Sequence, residues 1–261
     1  MSNHSRNVGF ALIASLCFLS TNIRCRDGGS VEVDTSDNKV IVVLLDRSGS
    51  VRGDRAIYDK ALSVIRKSLR EGDRFLMGSI TSASGTDFAT SIDYSLPAPL
   101  GEPGWMAEPV EYKKMKKTRQ KQLNDILSNL DREIKVFLDK KSDTARTTIF
   151  ESLSVVEPLF QSEVRKRKIL VILSDMLEDS GVANFDRGRL SNETIREVIE
   201  HQQSIGTLPD LRDVKVYVAG AVASPPERAG SVKRFWLEYF AATGASMDRG
   251  QYARVLTSFA E

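Results

Sequence analysis

The sequence predicts an α/β fold: a doubly wound, mostly parallel central sheet flanked by helices. Two unbroken apolar runs, residues 40–45 (VIVVLL) and 168–174 (KILVILS), lack the polar alternation of a half-exposed strand, as expected for strands covered on both faces. Both runs end on a carboxylate, Asp46 and Asp175. Segments of helical periodicity alternate with the strand-like runs, the pattern that produces crossover connections.

The remaining elements follow in order. Ile57, Ala61, Ile65 and Leu69 recur at helical spacing and predict a helix over 54–70, stopped by Glu71-Gly72-Asp73. Residues 74–80 (RFLMGSI) read as a strand, and 88–95 as an edge strand before a Pro/Gly-rich connection over 97–109. A long helix is expected over 111–140, with Leu123, Ile126, Leu127, Leu130, Ile134, Phe137 and Leu138 in one stripe. Ile149, Leu153, Val156 and Phe160 mark the next helix, and Ile195, Val198 and Ile199 one over 191–203. Residues 214–221 (VKVYVAGA) form a further strand, and Ser231 is expected to cap a last helix over 232–242 ended by Gly244. The tail through Tyr252, Val255 and Phe259 adds a short strand or helix.

Composition narrows the chemistry. The 261 residues are 41% hydrophobic, enough for a sizeable core, and one set of strands argues for one large domain over 39–261, with an irregular and helical insertion at about 82–144. Both cysteines, Cys17 and Cys25, precede that domain, so a thiol nucleophile, a cysteine zinc site and a disulfide framework are excluded from it. His4 and His201 are the only histidines, too few for a histidine-rich metal site. The net charge of +2 carries no argument on nucleic acid. Lys113, Lys114, Lys116, Lys117, Arg119 and Lys121 cluster early in the long helix, but without the interleaved aromatic residues of single-strand platforms, so no nucleic-acid partner is expected. The cluster reads as a solvated face, with phosphate or an acidic partner as the alternative.

Arg6 and the apolar run 10–19 (FALIASLCFL) resemble a secretory signal over 1–25, followed by a polar linker over 26–38. The run is too short to span a bilayer as a mature helix. Export to the periplasm or cell envelope is expected, with a membrane tether or lipid anchor at the N-terminus left open, since Arg24 before Cys25 departs from a lipobox.

The informative stretch is Asp46-Arg47-Ser48-Gly49-Ser50. Asp46, Ser48 and Ser50 place oxygens at every second position after a buried strand, where open α/β sheets gather ligands. Hard divalent cations prefer such oxygens. A plainer reading makes Ser48 or Ser50 the cap of the following helix.

Asp-x-Ser-x-Ser after VIVVLL resembles the metal-ion-dependent adhesion site of the von Willebrand factor A domain family, whose fold is Rossmann-like. The resemblance implies a further ligand from Thr147, with Thr148 as a substitute, and one from Asp175, usually through water. Arg146 and Met176 stand where the family commonly has glycine. It implies a non-enzymatic, metal-dependent protein-binding domain: Mg2+, or Mn2+ or Ca2+, held by Asp46, Ser48, Ser50, Thr147 and Asp175, and completed by an Asp or Glu of a partner protein. Two rivals remain. A haloacid dehalogenase-type phosphohydrolase also puts an aspartate after its first strand, but needs an acid/base aspartate where Ser48 stands. The other is the same scaffold with a degenerate metal site. Glu178 and Asp179 lie nearby in the sequence and would add negative potential, with solvent-exposed loop carboxylates as the plainer reading.

Overall fold

The computed structural model describes residues 38–48, 54–80, 92–103, 108–140, 146–187, 189–221 and 225–259. The signal-like segment 1–25, residues 26–37 of the linker, and Ser50 lie outside the described residues. The described residues form a five-stranded α/β sheet with helices on both faces. Its strands are β1 (Lys39–Asp46), β2 (Arg74–Ile80), β3 (Ile92–Ser95), β4 (Arg167–Leu173) and β5 (Val214–Ala219). Their spatial order is β3-β2-β1-β4-β5, all parallel except β3, which runs antiparallel to β2 at the edge.

β1 is central and buried along its whole length, which explains its unbroken apolar run. Its side chains alternate between two cores. Val40, Val42 and Leu44 face α3 (Ile149–Gln161), α4 (Asn192–Ser204) and α5 (Pro226–Ala242). Ile41, Val43 and Leu45 face α1 (Arg55–Ser68) and α2 (Pro109–Asp139). The first core is aromatic: Phe150, Phe185, Phe235, Trp236 and Tyr239 pack with ring centroids between 4.7 and 6.5 Å. The second uses aliphatic residues with Tyr58 and Phe75.

At 31 residues, α2 is about 46 Å long and runs the full depth of the sheet. None of its residues before Leu127 is buried. At its other end two arginines of the segment after β1 hold its last carbonyls: Arg47 donates to Lys140 O, and Arg55 Nη1 to Leu138 O at 3.0 Å. Arg47 also lies 5.6 Å above the Phe137 ring, and Arg55 pairs with Asp139.

Two expectations shift. α5 begins at Pro226, six residues earlier than a Ser231 cap requires, because proline is accommodated in a helix's first turn, where its missing N–H has no partner to lose. Ser231 is interior; its hydroxyl donates to Arg228 O and accepts from Leu190 N. The tail is neither regular strand nor helix. It pairs with the outer edge of β5 through bridges at Ser246 and Tyr252, with Val216 N donating to Ser246 O and Val218 N to Gln251 O, both at 2.8 Å.

Candidate functional site

The chain leaves β1 in one direction through β2 to β3, and fills the other side with β4 and β5. The order therefore reverses between β1 and β4, and a crevice opens beyond their carboxyl ends. The register pairs Leu45 with Leu173, so Asp46 and the segment Ser174-Asp175 leave neighbouring strands at one level, about 4.8 Å apart.

Asp46 is 1% exposed. Its Oδ1 accepts from Ser48 N at 2.8 Å and its Oδ2 from the Ser174 hydroxyl at 2.6 Å. Burial raises its pKa; the Ser174 hydroxyl and the Ser48 amide and hydroxyl oppose that rise without cancelling it, and among the described residues no basic side chain holds it. Asp175 is also buried, and its Oδ1 accepts from Leu177 N. Ser48 and Thr147 are buried as well. Ser48 is not the cap of α1, whose N-cap is Asp54, without a side-chain capping bond.

The loop before α3 is stitched to the loop after β4. Asp179 N donates to Thr147 O at 2.8 Å, which brings Thr147 to the same crevice rim as Asp175. The N-cap position of α3 is Thr148, without a side-chain capping bond. Glu178 caps the helix instead: its Oε2 accepts from Ile149 N at 2.7 Å and Phe150 N at 3.4 Å. This corrects the reading of Glu178 as a solvated carboxylate, for it is 1% exposed. Burial dominates its titration and pushes it up to about 8, despite the Ser180 hydroxyl and the helix N–H groups. Asp179 is half-buried and accepts from Asn184 Nδ2 at 2.7 Å.

Ser174, which sequence reasoning treated only as the end of a strand, is the hinge of the site. Its buried hydroxyl donates to Asp46 and accepts from Met176 N at 2.9 Å. Met176 adopts φ +67°, the left-handed conformation that glycine takes without cost, and its carbonyl accepts the Trp236 indole N–H at 2.9 Å. Hydrogen bonds on both sides of Met176 impose the turn that glycine would otherwise supply.

Two phenols border the crevice. The Tyr58 hydroxyl is buried with no hydrogen-bond partner among the described residues. Burial, then the charges of Asp46, Asp175 and Asp54, raise its pKa. Tyr252 is raised by burial and by Asp175. Among the described residues no three His, Cys, Asp or Glu side chains converge as a metal cluster, so an ion held here would draw on hydroxyls besides its two carboxylates.

Fold and site together define a doubly wound α/β protein with an acidic, hydroxyl-bearing crevice at its switch point. No family model matches the chain, and no curated protein matches it. Among solved structures it is similar to proximal thread matrix protein 1 from the mussel byssus, at 11% identity and TM-score 0.36 over 81% of this chain and 47% of that one. It is also similar to a von Willebrand factor type A protein from Catenulispora acidiphila, at 15% identity and TM-score 0.34 over 82% of this chain and 39% of that one. A third, an aerotolerance-related membrane protein from Bacteroides fragilis, shares 12% identity at TM-score 0.37, over 84% of this chain and 92% of that one. The chain thus spans less than half the length of the first two. The reading of the crevice rests on this chain's own residues.

Proposed function

We propose that this chain is a non-enzymatic, von Willebrand factor A-like binding domain of the cell envelope, whose crevice takes a divalent cation, Mg2+ or Mn2+ or Ca2+, and through it a partner protein's Asp or Glu. The observation that carries the reading is Asp46: a carboxylate buried at the switch point, with no basic side chain holding it among the described residues, beside a second buried carboxylate, Asp175. The donor chemistry fits a hard cation. Two carboxylates balance a divalent charge, and the hydroxyls of Ser48, Ser50 and Thr147 are the neutral oxygens such an ion accepts. The Tyr58 hydroxyl, without a hydrogen-bond partner among the described residues, adds a donor for a water or ligand oxygen. When bound, the cation supplies Lewis acidity toward an incoming carboxylate.

The chain's own residues set the geometry. Ser174 and the Ser48 amide fix Asp46, Leu177 N orients Asp175, and the Thr147–Asp179 link joins the two loops. A phosphohydrolase of the haloacid dehalogenase type finds no second aspartate at Ser48. One observation favours the degenerate-site reading: both oxygens of Asp46 already accept hydrogen bonds, Oδ1 from Ser48 N in its own turn and Oδ2 from the Ser174 hydroxyl, which ties the end of β1 to the end of β4.

Calorimetric titration of the full chain with Mg2+ and Mn2+, parent against Asp46→Asn and Asp175→Asn, separates the two. Metal affinity in the parent that falls at least tenfold in both variants is the expected result. Metal binding that survives both substitutions sinks the site assignment, and a folded parent that binds neither ion with or without an acidic peptide supports the degenerate scaffold.

A further inference from the structure

The opposite pole of the sheet carries a second feature, independent of the crevice. The amino ends of β1 and β4 and the first turns of α2 enclose a cleft of about 620 Å³. Five cations line it, Lys39, Arg70, Lys116, Arg119 and Arg167, against two carboxylates, Glu71 and Asp73; Asp73 is engaged at 2.7 Å by Lys39. Above the cleft, Lys113, Lys114, Lys117 and Lys121 are exposed on the outer side of α2. The chain enters β4 at this pole through Arg165-Lys166-Arg167-Lys168.

Apolar side chains stand out among these charges. Val110 is 74% exposed in the first turn of α2, between Glu108 and Glu111, Met115 is 53% exposed among the lysines of the turns that follow, and Val164, just before the basic entry to β4, is 88% exposed. Cations interspersed with exposed apolar residues suit a headgroup layer, where the ammonium and guanidinium groups meet phosphates and the apolar groups sink below them. Polypeptide position supplies the second argument. Asn38, a lining residue of the cleft, is where the chain enters the sheet, and the apolar run 10–19 lies upstream in the sequence.

We propose that this basic pole docks on an anionic lipid headgroup surface, leaving the crevice, about 25 Å away along the eight residues of β1, turned from the bilayer. No helix among the described residues is long and apolar enough to cross a membrane.

The test is cosedimentation of the full chain with phosphatidylglycerol-containing vesicles against pure phosphatidylcholine vesicles, parent against the triple variant Lys113→Glu, Lys117→Glu, Lys121→Glu. The neutral vesicles report what the apolar N-terminal run contributes alone. The expected result is stronger partitioning onto anionic vesicles, weakened by high salt and lowered more than tenfold in the variant, whose thermal unfolding is unchanged. Equal partitioning onto both vesicle types overturns the proposal, as does a folded variant that partitions like the parent. Displacement from anionic vesicles by inorganic phosphate or polyglutamate at matched ionic strength overturns it too, because the cleft would then serve a free anion or an acidic protein.

Discussion

Replacing Glu178 by Gln isolates one buried carboxyl and gives the folding free energy a measurable dependence on pH. Glu178 caps α3 through Ile149 N and Phe150 N while burial raises it from an ordinary value of 4.5 to about 8. Between those values the folded chain keeps a proton that the unfolded chain gives up. The unfolded state therefore gains stability as pH rises, at about 1.4 kcal/mol per pH unit. Below 4.5 both states are protonated and nothing is lost; across the interval to about 8 the native state loses up to ~5 kcal/mol, an upper bound for complete burial. The glutamine amide oxygen would keep the capping bonds without titrating. Urea unfolding of parent and variant at a series of pH values reads the difference directly. The variant is expected to gain on the parent steadily from pH 5 to pH 8 and to level off above. Asp46, also raised, tilts both curves in the same sense and cancels in the comparison. Parallel curves for the two proteins would refute the reasoning.

Trp236→Phe removes the indole donor from the buried Met176 carbonyl and is expected to cost about 1–3 kcal/mol in urea unfolding, with unchanged stability counting against the bond's role. Gly220→Ala adds a Cβ at φ +98°, 2.9 Å from Tyr58 Cε1 and 3.0 Å from Ser174 O, and is expected to cost about 2 kcal/mol or more. Gly206→Ala is the control: at φ +70° but in open space, it is expected to cost only about 1 kcal/mol, and equal losses at the two sites would show that strain alone decides.

What the sequence disclosed was what depends on burial of a whole segment. β1 and β4 are covered on both faces, so their apolar runs and terminal aspartates stood out, and β2 coincides with its expected span. Roles that depend on where distant elements meet did not stand out. Nothing local marks Glu178 as buried, because its partners are N–H groups of a helix 28 residues upstream. Ser174 looked like a strand end, yet its hydroxyl reaches a residue 128 positions away. Met176 could be flagged only as a missing glycine; the Ser174 and Trp236 bonds that hold its backbone come from packing. The start of α5 escaped because prolines that often mark loops also fit a helix's first turn.

The tail that follows α5 bears on how copies of this chain meet one another. By pairing with β5 at Ser246 and Tyr252 it occupies the ladder groups that an added strand would use, and the opposite margin is a four-residue antiparallel strand whose Asp93 pairs with Arg74. Strand-by-strand stacking, the route by which open sheets polymerise, is thereby blocked along β5 and short of length along β3. A strand added along β5 would first have to displace the tail.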